Sequence, residues 1–167
     1  GGMSSAPISI IVSAVNDPPI VQADVYVIPE DTQTALTVLA NDFDDADEDS
    51  LSISSVSTAV NGSIVHTPGS TTILLTPLLD SLSTVTFSYI ASDGNGGSTT
   101  GNVTAHIIPV NDDPVAIDDF GSTSMDVSTE IKVLLNDTDV DQDPLTVVEI
   151  LNVTGGTAVP SPAATSV

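Results

Sequence analysis

The sequence contains no cysteine and almost no positive charge. Without cysteine there is no disulfide to staple a small domain, no thiol nucleophile and no thiolate to hold zinc. One basic residue, Lys132, stands against 23 acidic ones, for a net charge of −22. A surface of that sign repels phosphate backbones and anionic lipid, so nucleic acid and anionic membranes are excluded as partners. Aromatic residues make up 3% of the chain, too few for a sugar-stacking platform. Apolar runs are only a few residues long, as in residues 10–12, so no segment inserts into a bilayer. No secretory leader is visible, and an exported chain would take its signal from outside this sequence.

What remains is 40% hydrophobic, enough apolar surface to bury despite the acidity, so the chain is expected to fold and not to be disordered. Val, Ile, Leu and Ala interleave with Thr and Ser, the profile of half-buried strands. Self-similarity organises the pattern. VNDPP at Val15 to Pro19 recurs as VNDDP at Val110 to Pro114, and the same spacing of 95 residues carries Leu39 onto Leu134 and Asn41 and Asp42 onto Asn136 and Asp137. One extra residue in the first acidic loop then reduces the spacing to 94, which carries Gly62 onto Gly156. ISIIVSAVND at Ile8 to Asp17 matches VTAHIIPVND at Val103 to Asp112.

Three segments follow: residues 1–14 as the last strand of a preceding repeat or a donor strand, 15–110 as a complete repeat, and 111–167 as the first half of a second. Seven strands are expected in the complete repeat, at about residues 21–28, 35–40, 51–57, 63–66, 72–76, 84–91 and 98–108. Val85, Phe87, Tyr89 and Ala91 share one face by period two, as do Val103, Ala105 and Ile107, and those faces should meet in a core. Asn61–Gly62 and the stretch from Gly94 to Gly97 supply turn residues that accept positive φ. The expected class is all-β: tandem antiparallel β-sandwiches of Ig-like type, the second incomplete.

The carboxylates carry the chemistry. Asp137, Asp139, Asp141 and Asp143 alternate in the second copy, and Asp42, Asp44, Asp47 and Asp49 do so in the first, with Asp45 and Glu48 added. Such crowding is costly unless a cation neutralises it, and hard oxygen ligands suit calcium above magnesium. The plain alternative is a solvated acidic loop that keeps a sheet edge soluble. Further acidic points recur at segment ends: Asn16 with Asp17, Asn111 with Asp112, Glu30 with Asp31, and Asp93. Asp80 lies in a loop outside these clusters.

VNDPP, PEDT, VLANDFD and FSYIASDGNGG in the first copy, with VNDDP and VLLNDTDVDQDPLTV in the second, resemble the cadherin-like tandem repeats, about 95 residues each, of large bacterial and archaeal surface adhesins. The resemblance implies calcium ions at the module junctions. It places ligand roles on Glu30 and Asp31, on Asp42 and Asp44, on the linker residues Asn16 and Asp17 or Asn111 and Asp112, and on Asp93. The second copy departs from the pattern: Met125 replaces Glu30 and only Asp126 is kept, which implies weaker calcium binding or fewer ligands there. Asp24, Asp118 and Asp119 read equally well as ligands or as exposed strand ends.

His66 and His106 have no visible third partner and read as surface residues. Lys132 has Thr37 as its counterpart, so a side-chain cross-link would not be a repeat feature. The four N-x-S/T sequons at Asn61, Asn102, Asn136 and Asn152 arise easily by chance in a Ser- and Thr-rich chain. No set of nucleophile, base and orienting group can be named, so an enzyme is not expected. The leading expectation is an extracellular, cell-surface stalk repeat rigidified by Ca2+, with neighbouring repeats of the same protein as partners and a host or cell-surface ligand at the end of the stalk. The alternatives are a filament or homo-oligomer built by strand donation between chains and a calcium-dependent glycan-binding module.

Overall fold

The computed structural model describes residues 1–11, 15–44 and 49–160. The chain forms two compact units, Gly1–Pro109 and Val110–Val167. Residues 1–11 of the first unit are exposed and join no strand.

The first unit is built from seven strands: β1 Asp24–Pro29, β2 Thr34–Leu36, β3 Ser52–Val56, β4 Gly62–Val65, β5 Ile73–Pro77, β6 Val85–Ser92 and β7 Ser98–Ile108. They form a four-stranded sheet in the order β1-β7-β6-β3 and a three-stranded sheet in the order β2-β5-β4. Period-two alternation decides which side chains enter the core. In β6 the residues Val85, Phe87, Tyr89 and Ala91 are buried, and in β7 Val103, Ala105 and Ile107 are, the two faces expected from the sequence. They close on Leu36, Val38, Ile53, Ile73 and Leu75. Burying each of these larger side chains stabilises the unit by about 1.5–3 kcal/mol.

Two features depart from the expected layout. The sandwich is not wholly antiparallel, because β1 runs parallel to β7, with Asp24 opposite Val103 and Ile28 opposite Ile107. An odd number of strands that reverse one after another leaves the first and last pointing the same way, and here they meet at one sheet edge. The second strand is also shorter than the 35–40 expected. After Leu36 the chain turns, with Ala40 N donating to Thr37 O at 3.0 Å and Asp42 N to Leu39 O at 3.3 Å. That turn keeps Val38 in the core while delivering Asn41 and Asp42 to the end of the sandwich.

Tyr89 fixes the β6–β7 register. It pairs with Gly101, and a Cβ at Gly101 would overlap the Tyr89 ring. Only glycine leaves room for the ring to lie across its backbone. Asn61 takes φ 62° in the turn before β4, and its amide nitrogen donates to Thr84 O at 2.9 Å.

The second unit repeats only the opening of this plan. Val115 and Thr138 form an antiparallel bridge, with N–H···O distances of 2.8 and 3.1 Å, the same two distances found between Ile20 and Phe43 in the first unit. Among its described residues none is buried and no extended strand forms. The expected half-sandwich is thus a set of turns around one bridge, because residues 111–160 contain no counterparts of β6 and β7 to pair with. Among the described residues of the whole chain, no helix is long and apolar enough to cross a membrane.

Candidate functional site

Acidic side chains gather at several points, and their geometry differs from one to the next. At the end of the first sandwich, Asp42 is held by two donors: Gln22 N to Oδ1 at 2.9 Å and the Tyr89 hydroxyl to Oδ2 at 2.6 Å. The Tyr89 oxygen also lies 3.0 Å from Val38 O. Asp24, from β1, reaches the same place and is only 6% exposed. Burial pushes its carboxyl above the ordinary range; the Tyr89 hydroxyl opposes that shift, and the neighbouring Asp42 charge adds to it. Burial, the hydrogen bond to Asp42 and the charge of Asp24 push the Tyr89 phenol far upward in turn, so it stays protonated. Asp24, left open by the sequence between ligand and exposed strand end, is therefore an interior residue.

Beside it, Asp42, Phe43, Asp44 and Asp49 line part of a cleft of about 550 Å³. Asp44 is half-buried there, while Asp47, with Asp45 and Glu48, lies outside the described residues. Asp49 Oδ2 accepts a hydrogen bond from Asn95 Nδ2 at 2.7 Å, which ties this loop to the β6–β7 turn.

Asp93 organises that turn. Its Oδ1 accepts three backbone N–H groups, from Asn95, Gly96 and Gly97, at 2.7, 3.1 and 3.0 Å. Its Oδ2 accepts Asn16 Nδ2 at 2.8 Å. The Asn16 donor and then the backbone donors hold the Asp93 carboxyl below its usual range. A Cβ at Gly97 would overlap Asp93 and crowd the backbone of Asp17 and Pro18, so glycine lets the leading segment lie against the turn. Asp17 itself is exposed, and its carbonyl accepts Asn16 Nδ2 at 3.3 Å.

Glu30 and Asp31 follow β1. Glu30 is 4% exposed, and its N–H donates to Ile108 O at 3.0 Å. Asp31 takes φ 53°, and its Oδ1 accepts the N–H of Asp80 at 2.9 Å. Carboxylate oxygens of Asp31 and Asp80 lie within 4.8 Å of each other. Asp80 belongs to the acidic pattern after all. Its separation of 49 residues from Asp31 left no local signal by which the sequence could reveal it.

The second unit rebuilds part of this arrangement. Asp137 Oδ1 accepts Ile117 N at 2.8 Å, the counterpart of Asp42 accepting Gln22 N. Asp126 takes φ 60°, matching Asp31, and like it is exposed, here in a turn closed by Val127 N to Ser124 O at 3.1 Å. Asp139 Oδ1 accepts the N–H groups of Asp141 and Asp143 at 2.9 and 3.4 Å, folding the acidic loop around itself. Asp141 Oδ2 accepts Asp112 N at 2.7 Å, and Asp112 and Asp141 bring carboxylate oxygens within 4.8 Å. Asn111 donates to Asp112 O at 2.8 Å, as Asn16 does to Asp17 O. Carboxylates this close could hold a cation between them.

A family model described as a bacterial Ig domain matches residues 16–106 and again residues 111–166. No individual curated protein matches the chain.

Proposed function

Because the chain belongs to the bacterial Ig-domain family, whose members are typical of surface proteins, we propose that it is a structural repeat of a cell-surface stalk, of the cadherin-like kind its motifs resemble. The observation that carries this reading is the recurrence of one local geometry 95 residues apart. Ile20–Phe43 and Val115–Thr138 form the same bridge, and Asp42 and Asp137 accept the same backbone donor beside it. A chain that repeats an architectural joint, and spends its polar side chains on bracing loops, is suited to bearing load and not to transforming a substrate. We assign it no catalytic role.

Calcium fits the acidic loops as a stiffener. Without a cation, the Asp112 and Asp141 carboxylates repel each other, as do those of Asp31 and Asp80. With one, the same oxygens become ligands that fix their loops. Calcium should raise the melting midpoint of the chain at constant ionic strength, and Asp141→Asn should reduce that rise. Equal midpoints with calcium and with chelator would reject the ion and leave a solvated acidic surface. Exposure of the parent protein to protease on intact cells tests the surface location, and resistance there until lysis would refute it.

Strand addition between chains is a second reading, favoured by one observation. Ile8, Ile10 and Ile11 are 87%, 80% and 89% exposed, in the segment whose sequence matches β7. Added to an open sheet edge of another copy, that segment would build a filament. Light scattering across a concentration series distinguishes the two readings, since a constant monomer mass removes the filament.

A further inference from the structure

Lys132 is the one Lys or Arg set against 23 carboxylates, so almost none of the acidic groups can be met by an ion pair within the chain. At the β6–β7 turn two asparagines take that part. Asn16 Nδ2 donates to Asp93 Oδ2 at 2.8 Å, and Asn95 Nδ2 donates to Asp49 Oδ2 at 2.7 Å. A second neighbour fixes which way the Asn16 amide faces. Its Nδ2 also donates to Asp17 O at 3.3 Å, and an amide turned the other way would set its oxygen against two acceptors.

The family resemblance gives Asp93 a calcium-ligand role, and the surroundings of Asp93 do not suit one. The N–H groups of Asn95, Gly96 and Gly97 on Oδ1 and the Asn16 amide on Oδ2 make four donors, about the full acceptor capacity of an ionised carboxylate. Each aims the positive end of an N–H dipole at oxygens that a calcium ion would have to share with about five to seven others at 2.3–2.6 Å. Among the described residues, Asp93 joins no group of three carboxylate or imidazole ligands. The incoming segment is already in contact with the turn: at Gly97 a Cβ would overlap Asp93 and crowd Asp17 O and Pro18.

We propose that Asn16 stands in place of an ion at this joint: its side-chain amide latches the segment entering the first sandwich to the β6–β7 turn through Asp93, and the latch is independent of calcium. Hydrogen bonds from an uncharged amide hold at any calcium concentration. The Asp31–Asp80 and Asp112–Asp141 pairs differ, because there carboxylate faces carboxylate and a cation has something to neutralise. Asn111, the counterpart of Asn16 at the spacing of 95, makes the same bond to the carbonyl of its following residue. That asparagine conformation is therefore local, and the reach from Asn16 to Asp93, across 77 residues, is what the folded turn adds. The residue type at position 16 decides the chemistry. Aspartate there would set one carboxylate against another and open the latch.

The test is NMR on the full chain in calcium chloride or in EGTA, at ionic strength held constant with potassium chloride, following the Asn16 side-chain amide and hydrogen exchange at the Gly96 and Gly97 amides. In the wild type these signals should agree between the two conditions. A shift of the Asn16 amide that saturates with calcium would overturn the proposal. Asn16→Ala should speed exchange at Gly96 and Gly97 by about tenfold or more, the equivalent of one hydrogen bond to a charged group, and equally with calcium and with EGTA. Asn16→Asp should do the same in EGTA, and wild-type protection there would sink the latch. Residue 16 is exposed and lies outside every strand, so faster exchange confined to the turn is expected. The same factor throughout β6 would mean a general loss of stability and no latch. Calcium stiffening fails separately: melting midpoints unmoved by calcium, with both Asn16 variants behaving as expected, would remove the ion and leave the latch in place.

Discussion

Leu36 and Ile131 occupy the same place in two copies of one sequence pattern, yet the first is 1% exposed and the second 48%. Val38 and Val133, two residues further on, are 0% and 38% exposed. Over the same stretch the polar geometry hardly differs: the bridge, the aspartate that caps it and the positive-φ aspartate recur in both units. Hydrogen bonds between residues about 20 apart form from the local sequence alone. Burial of the apolar positions instead requires β5, β6 and β7, contributed by residues 73–108 in the first unit. The pair of copies separates what a segment encodes from what its partners must supply.

The most severe way to break that comparison is to truncate both members of one pair. Leu36→Ala should cost about 2–5 kcal/mol in urea unfolding of the chain, through lost burial and a cavity. Ile131→Ala should stay within about 0.5 kcal/mol, as for an exposed substitution. Equal losses would mean that the second unit has a core of its own.

A smaller effect is expected where the first unit sets its register. Gly101→Val should destabilise by about 1–3 kcal/mol, because the Tyr89 ring must move to admit the side chain. Gly121→Ala meets only the side chain of Ile131, itself about half exposed, and should leave the unfolding midpoint unchanged. Hydrogen exchange on the Gly101 variant should show lost protection along β6 and β7 first.

Calcium at millimolar concentration, with dissociation constants of about 10⁻⁴ to 10⁻³ M, should add roughly 0.4–1.4 kcal/mol for each site filled. Thermal melts with calcium and with chelator measure the total. Asp31→Asn and Asp141→Asn, made separately, apportion it between the two units. A total that survives both changes would place the ion elsewhere.

The subtlest test is acid. The folded-state pKa of Asp93 is lowered, so the unfolded chain binds its proton more readily than the fold does. Its stabilising contribution is therefore fully present above the ordinary aspartate range and is lost as pH falls through that range toward the lowered value. Asp93→Asn should reduce stability at neutral pH and flatten the decline across that acid window. An unchanged slope in denaturant melts between those limits would mean that the Asn16 and loop contacts to Asp93 do not form in solution.

Much of this was legible in the residues. Period-two alternation in β6 and β7 identified seven core positions, from Val85 to Ile107, and the spacing of 95 located both acidic loops. Strand ends were less well marked, and β2 stopped early because a turn that seats Asn41 and Asp42 left no periodic trace. The site was harder to read than the fold. Clustering along the chain pointed to Asp42, Asp44, Asp139 and Asp141, but it passed over Asp80 and left Asp24 undecided, since each meets its acidic neighbour only after folding.

Composition and periodicity alone settled the fold class, the repeat and the absence of disulfide and thiol chemistry, because each follows from residue types and from neighbours within a strand or turn. The tertiary structure decided which aspartates are interior, which face one another and which brace a loop. Asp24 and Asp42 are 18 residues apart in sequence and come together only when β1, the turn after β2 and Tyr89 from β6 close on one another. In that setting of low solvent access, whether a carboxylate is a solvated surface charge or a braced interior group depends on distances of a few ångströms, which no spacing along the chain can encode.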